Sequence, residues 1–294
     1  MSETIDPPSL GPRRIDQGLS AEQAAEFDSH TVSGYLAPFV QLALEHLEHR
    51  PSFTRTRIAD VAQASEAARV VQLCARTGFL DAGIRRVLPG ARVYGADPSS
   101  DAIARAPAHP DGEYTVVPSL PTPFQDAWFS HGITVHPGGS VGDRARLLAE
   151  YRRILSPTAQ VVLAVPLRGS FTELGDLLRE YALKHDAPDV EAAVTGAASL
   201  RPGAEGLVNE LSRAGFEQVS VTTKTVTLSF PSGQALISDA AMRLLVFPEL
   251  EQNLGIALNK PLRYAQSAID KYWAGGDSFE LTVIAGCAAG YRRA

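Results

Sequence analysis

Short, nearly continuous apolar runs, each followed by a helical stretch, constrain the fold of this chain more than any other feature. Arg69–Cys74, Ala91–Ala96, Tyr114–Val117, Ser130–Val135, Gln160–Val165, Phe216–Thr223 and Phe279–Ile284 read as strands. Helical patterns lie between them at Leu80–Val87, Ser100–Ala106, Ala145–Leu155 and Leu207–Ala214. Strands without polar alternation are buried on both faces, which is the condition of a parallel sheet covered by helices. The expected class is therefore α/β. Two longer stretches, Phe171–Leu200 and Ser238–Trp273, interrupt the rhythm with helical patterns of their own and read as insertions, the second as a helical cap.

Ahead of the first strand, Ser20 and Gln23 have capping-box spacing and open a helix through Ala25. Phe39, Leu42, Leu44 and Leu47 then recur near a period of 3.6 until Pro51. Residues 1–19 carry three prolines and no apolar core of a signal peptide, and read as a flexible tail. Residues 20–294 read as one domain. No apolar run approaches the roughly 18 residues of a membrane span, so a cytoplasmic protein that does not engage a membrane is expected. A net charge of −6 speaks against nucleic acid as the main partner, because phosphate binding needs a concentrated cationic face. The local groups Arg50, Arg55, Arg57 and Arg152–Arg153 read as solvated side chains.

At the first strand the sequence is V-V-Q-L-C-A-R-T-G-F-L, and four further features follow in order. These are V-Y-G-A-D-P-S at Val93–Ser99, L-P-T-P-F-Q-D-A-W-F-S at Leu120–Ser130, Y-R-R-I-L-S-P-T-A-Q-V-V-L-A-V-P at Tyr151–Pro166, and L-V-N-E-L-S-R-A-G-F-E-Q-V at Leu207–Val219. The set resembles the class I S-adenosylmethionine (SAM) methyltransferases, in the style of the type 11 and quinone-biosynthesis branch. The resemblance implies a Rossmann-like, seven-stranded sheet with an antiparallel last strand and a cofactor site at Gln72, Thr77, Gly78, Asp97 and Ser119.

Several positions depart from the family pattern. The strand-one carboxylate is Gln72, which cannot offer a charge-assisted bond to an ammonium group. Two glycines of the first motif are Cys74 and Arg76, where a Cβ blocks close approach and a left-handed backbone would cost about 1 kcal/mol. Arg76 is expected to project across the cofactor space. The acidic residue after strand three is Ser119, and Lys-Pro-Gly-Gly before strand five is Ser156-Pro157-Thr158-Ala159. Asp97 keeps the ribose-binding position, although an aspartate before proline is also an ordinary turn residue.

Other chemistry is sparse. His131 and His136 flank the fourth strand and are weak candidates for a general base. His46 and His49 are spaced i, i+3 but lack a third ligand, so no metal is expected. Cys74 and Cys287 have no C-x-x-C spacing, and Cys74 reads as a small buried hydrophobe. Trp128, Phe124 and Phe129 read as core packing, with an aromatic platform near the adenine pocket as the alternative. No N-P-P-Y-type motif or nucleophile elbow is present. The depleted motif points to a protein that binds SAM weakly or not at all and acts on a protein partner by interaction or regulation. The alternative is a divergent, active SAM-dependent methyltransferase of a small-molecule substrate.

Overall fold

The computed structural model describes residues 18–48, 67–110, 112–138, 141–255, 257–273 and 276–294. His49, Arg50, Pro51, Arg55, Arg57 and most of the N-terminal tail lie outside the described residues. Helix α1 (Ala21–Glu26) begins at the expected capping box: Gln23 N–H donates to Ser20 Oγ (3.3 Å) and Ser20 N–H to Gln23 Oε1 (2.9 Å). A π-helical turn at Phe27–Thr31 carries the chain to α2 (Ala37–Glu45).

Seven strands follow: β1 (Arg69–Leu73), β2 (Arg92–Asp97), β3 (Tyr114–Val116), β4 (Phe129–Val135), β5 (Leu155–Pro166), β6 (Phe216–Phe230) and β7 (Phe279–Arg292). Their spatial order is β3-β2-β1-β4-β5-β7-β6. The β1–β5 ladders are parallel, and β7 runs antiparallel to both its neighbours. β1 is interior, between β2 and β4, as the sequence required.

Helices cover both faces. On one lie α2, α3 (Asp81–Val87), α6 (Thr172–Lys184), α7 (Pro188–Leu200), α10 (Phe247–Leu254) and α11 (Asn259–Tyr272), packed through residues such as Phe39, Ile84, Leu174, Val194, Leu250 and Ile269. On the other lie α5 (Val141–Ile154) and α8 (Ala204–Arg213), through Leu147, Tyr151, Leu207 and Leu211. The insertions are helical, as read from the sequence. The described residues also form two short helices, α4 (Ser100–Ile103) and α9 (Gly233–Ser238).

Three elements differ in length from the sequence reading. α4 stops at Ile103 instead of Ala106, where the closing turn is tighter than α and Pro107 follows. β6 and β7 run on to Phe230 and Arg292 because each supplies the other's ladder, from Phe216↔Arg292 to Phe230↔Phe279. Small residues make the end of β7 possible: a Cβ at Gly286 would lie 2.5 Å from Leu167 Cγ. Gly132 in β4 has a similar role. The Tyr151 ring lies over it, and the Tyr151 hydroxyl donates to Ile133 O (2.7 Å) while accepting from Leu73 N–H (3.0 Å), tying β1 to β4.

Candidate functional site

In an open parallel sheet, ligands bind beyond the carboxyl ends of the strands, at the point where strand order reverses. Here that point lies between β1 and β4, bordered by the loop Cys74–Gly78. The loop keeps the backbone path that glycine favours although its residues have changed. Cys74 (φ 57°) and Arg76 (φ 48°) are both left-handed, as is Gly78 (φ 68°). Each of the two non-glycine residues carries about 1 kcal/mol of strain, so the surrounding structure must hold the loop in place.

Asp97, the last residue of β2, is the main clamp. Its carboxylate is 4% exposed and accepts the Arg76 N–H at Oδ2 (2.8 Å) and the Ser99 N–H at Oδ1 (2.9 Å). Both oxygens are engaged by backbone donors. Beside it lies a cavity of about 20 Å³ lined by Leu73, Cys74, Asp97, Val117, Ser119 and Leu147. That volume holds about one water, given the ~10–15 Å³ each requires. Ser119 itself is exposed.

The other positions point elsewhere. Gln72 is buried inside the sheet, and its Nε2 donates to the Tyr114 hydroxyl (2.7 Å), which donates to Asp81 Oδ2 (3.1 Å). Gln72 Oε1 is buried and meets no protein donor. The Tyr114 ring packs on the faces of Gly78 and Gly95, where added Cβ atoms would approach it to 2.8 and 2.3 Å. Thr77 Oγ1 donates to Asp28 Oδ1, and Asp28 also pairs with Arg105 (2.8 Å). The Arg76 guanidinium is buried, 5.6 Å from the centre of the Phe27 ring. Leu19 O accepts from Ser99 Oγ (2.6 Å). The N-terminal segment Leu19–Asp28 is thus bonded directly onto the loops that end β1 and β2. Sequence reasoning missed Phe27 and Asp28, because nothing local marks a contact across 49 residues.

The two histidines part company. His131 is not at the substrate edge: β4 begins at Phe129, so His131 is its third residue, paired with Val70 and Gln160. Its ring bonds Glu48 O (3.1 Å) and Ser130 Oγ (2.8 Å), and burial lowers its pKa to about 4. It is a packing residue. His136 stands past the carboxyl end of β4, left-handed (φ 50°), with Nε2 2.8 Å from the Tyr35 hydroxyl. Burial first, then the Arg76 cation, lowers its pKa to about 3. Burial also raises the Tyr35 pKa well above its usual value. A base that weak has little driving force to take a proton near neutral pH.

Near this pair, Arg201 Nη2 donates to Glu249 Oε1 (3.0 Å), and its guanidinium lies 4.7 Å from the centre of the Phe171 ring. The aromatic group Tyr94, Phe124, Trp128 and Phe129 forms an edge-to-face cluster at the opposite, amino end of β4, with Arg69 over Trp128. It is core packing. Among the described residues, no group of three or more His, Cys, Asp or Glu side chains could hold a metal ion. None of their helices is long and apolar enough to cross a membrane.

No protein-family model matches the sequence, and no curated protein matches it. Among solved structures the chain is similar to the YcgJ protein of Bacillus subtilis, with a TM-score of 0.53 at 12% identity over 88% of this chain and 99% of that one. Weaker likenesses include a candidate methyltransferase of Bacillus halodurans C-125, with a TM-score of 0.47 at 16% identity over 81% and 99%. Another is phosphoethanolamine N-methyltransferase 2 of Haemonchus contortus, in complex with phosphomonomethylethanolamine and S-adenosylhomocysteine (TM-score 0.46, 13% identity, 92% and 61%). By strand order, by its antiparallel last strand and by the first of these likenesses, the chain has the Rossmann-like, seven-stranded fold of the class I methyltransferases.

Proposed function

We propose that this protein has a methyltransferase fold whose SAM site is degenerate, and that it acts by interaction or regulation, as a cytoplasmic protein, instead of by methyl transfer. The observation that carries this reading is the engagement of Asp97 by the Arg76 and Ser99 amides beside a cavity of about 20 Å³. A ribose diol would find one lone pair on each oxygen already taken by a buried backbone donor, and an adenosine moiety would have to open the wall. On β1, Gln72 offers an amide tied to Tyr114 where an ammonium group would need a carboxylate. Each missing bond to a charged group is worth about 1.5–3 kcal/mol. Losing two takes a micromolar site to roughly millimolar affinity or weaker, since 1.4 kcal/mol is tenfold.

A rescue experiment tests the reading. Gln72→Asp, Cys74→Gly and Arg76→Gly together restore a carboxylate and remove two Cβ atoms and one guanidinium. The triple variant should bind SAM measurably where the wild type does not. A folded triple variant with no gain would show that these positions are not what excludes the cofactor.

A further inference from the structure

The segment ahead of α2 is fastened to the loops that end β1 and β2 by contacts of two unequal kinds. Underneath, Phe27 is fully buried, with its ring 5.5 Å from that of Phe79 and beside the Arg76 guanidinium. At the surface, Asp28 pairs with Arg105 (2.8 Å) and Glu26 with Arg243. These four side chains are 27–44% exposed, so both pairs are screened by salt and individually weak. Within residues 19–31 the buried apolar side chains are Leu19, Ala24 and Phe27, and Thr31 Oγ1 is buried with no partner among the described residues. A stretch with so little buried hydrocarbon opens locally at a fraction of the cost of unfolding the domain. The loop it covers is itself strained at Arg76 (φ 48°), and such strain clusters at switch elements. π-Helical turns, which recur at functional elements, stand at both ends of the Glu26–Arg243 pair: Phe27–Thr31 follows Glu26, and Met242–Val246 holds Arg243. Residues 32–36 form a turn into α2, where Phe39, Leu42 and Ala43 are anchored in the core.

We propose that residues 19–31 form a strap that opens as a unit about residues 32–36 and uncovers the loops ending β1 and β2. Closed, the strap keeps Arg76 and Thr77 at 4% exposure and engages Thr77 Oγ1 through Asp28 and Ser99 Oγ through Leu19 O. Open, it returns these side chains to solvent at the carboxyl ends of the strands, where an open α/β sheet meets its ligands. The two exposed ion pairs are the latch. Salt weakens both, and so shifts the balance between closed and open forms towards the open one. Phe27 sets the cost of opening, because it is the one large ring that must leave the core. This motion does not depend on whether SAM binds.

Hydrogen exchange of the full chain, followed by mass spectrometry of peptic fragments, tests this without any ligand. Protection of residues 19–31 should be lower than that of residues 161–165, in the buried strand β5, by about 100-fold or more, and should depend little on urea. Raising sodium chloride from about 0.05 M to about 1 M should speed strap exchange roughly threefold or more. Glu26→Gln with Asp28→Asn removes both charges of the latch and keeps a side-chain acceptor for Thr77. This double variant should speed strap exchange about tenfold and erase the salt response. Residues 75–80, under the strap, should speed by a similar factor in both cases. Strap exchange no faster than that of residues 161–165 would overturn the proposal. So would a strap indifferent to salt and to the folded double variant, or a faster strap over an unchanged 75–80.

Discussion

Replacing Asp97 with alanine separates a structural carboxylate from one kept for a ligand. In the structure the side chain accepts two backbone N–H groups at 2.8 and 2.9 Å, in surroundings that leave it 4% exposed. Truncation strands both donors, and a buried donor without a partner costs about 1–3 kcal/mol. The loop has nothing to spare, because Cys74 and Arg76 are already left-handed and strained by about 1 kcal/mol each. The two stranded donors together give a loss of about 2–6 kcal/mol. For a domain of this size that is a fall in Tm of roughly 4–24 °C. Asp97→Asn keeps one acceptor oxygen and turns an amide NH₂ towards the second donor, so it should lose about half as much. Urea unfolding followed by circular dichroism measures both, with an unchanged m-value showing that the two states are the same. A ligand-binding carboxylate behaves differently, since its removal leaves stability unchanged or improved. A loss under about 1 kcal/mol for Asp97→Ala would refute the structural role and leave the carboxylate available to a ribose.

Two further outcomes follow from the packing. His131 and His136 have folded-state pKa values near 4 and 3, while in the unfolded chain both return to about 6.5. The unfolded state then binds more protons below pH 6.5, so stability is complete above that pH and falls as pH drops towards 4. Between pH 8 and pH 5 each histidine should remove about 2 kcal/mol, read from urea midpoints across pH, and a flat profile would contradict the burial of both rings. Gly132→Ala places a Cβ 2.5 Å from the Tyr151 ring, which bonds to β1 and β4 and cannot retreat. It should cost about 1–3 kcal/mol or more, and a neutral result would mean that Tyr151 does not lie across Gly132.

Much of the sheet was legible in the sequence because buried parallel strands announce themselves as continuous apolar runs. Val161–Val165 is fully buried, as its composition requires. The extra length of β6 and β7 was not legible, since Thr225–Ser229 becomes strand through its ladder to Glu280–Ile284, and Ala285–Gly290 through ladders to both β5 and β6. At the candidate site, the changed positions Gln72, Cys74 and Arg76 could be read directly against the family pattern. What those changes do could not. The engagement of Asp97 depends on where the Arg76 amide points, which is a property of the loop's φ angles. His131 was misplaced for a related reason: its ladders to Val70 and Gln160, near the amino end of β4, put it inside the sheet. Tyr35 and His136 stand 101 residues apart in the chain, and Arg201 and Glu249 stand 48 apart. No local spacing signals either pair.

Calorimetric titration of the wild-type protein with SAM and with S-adenosylhomocysteine tests the central claim most directly. With Asp97 bonded to two amides, Gln72 bonded to Tyr114 and a cavity of about 20 Å³ beside Asp97, neither compound should produce saturable heat below roughly millimolar concentration. Saturable binding of either one in the low micromolar range, at one site per chain, would contradict the account and show an intact SAM site.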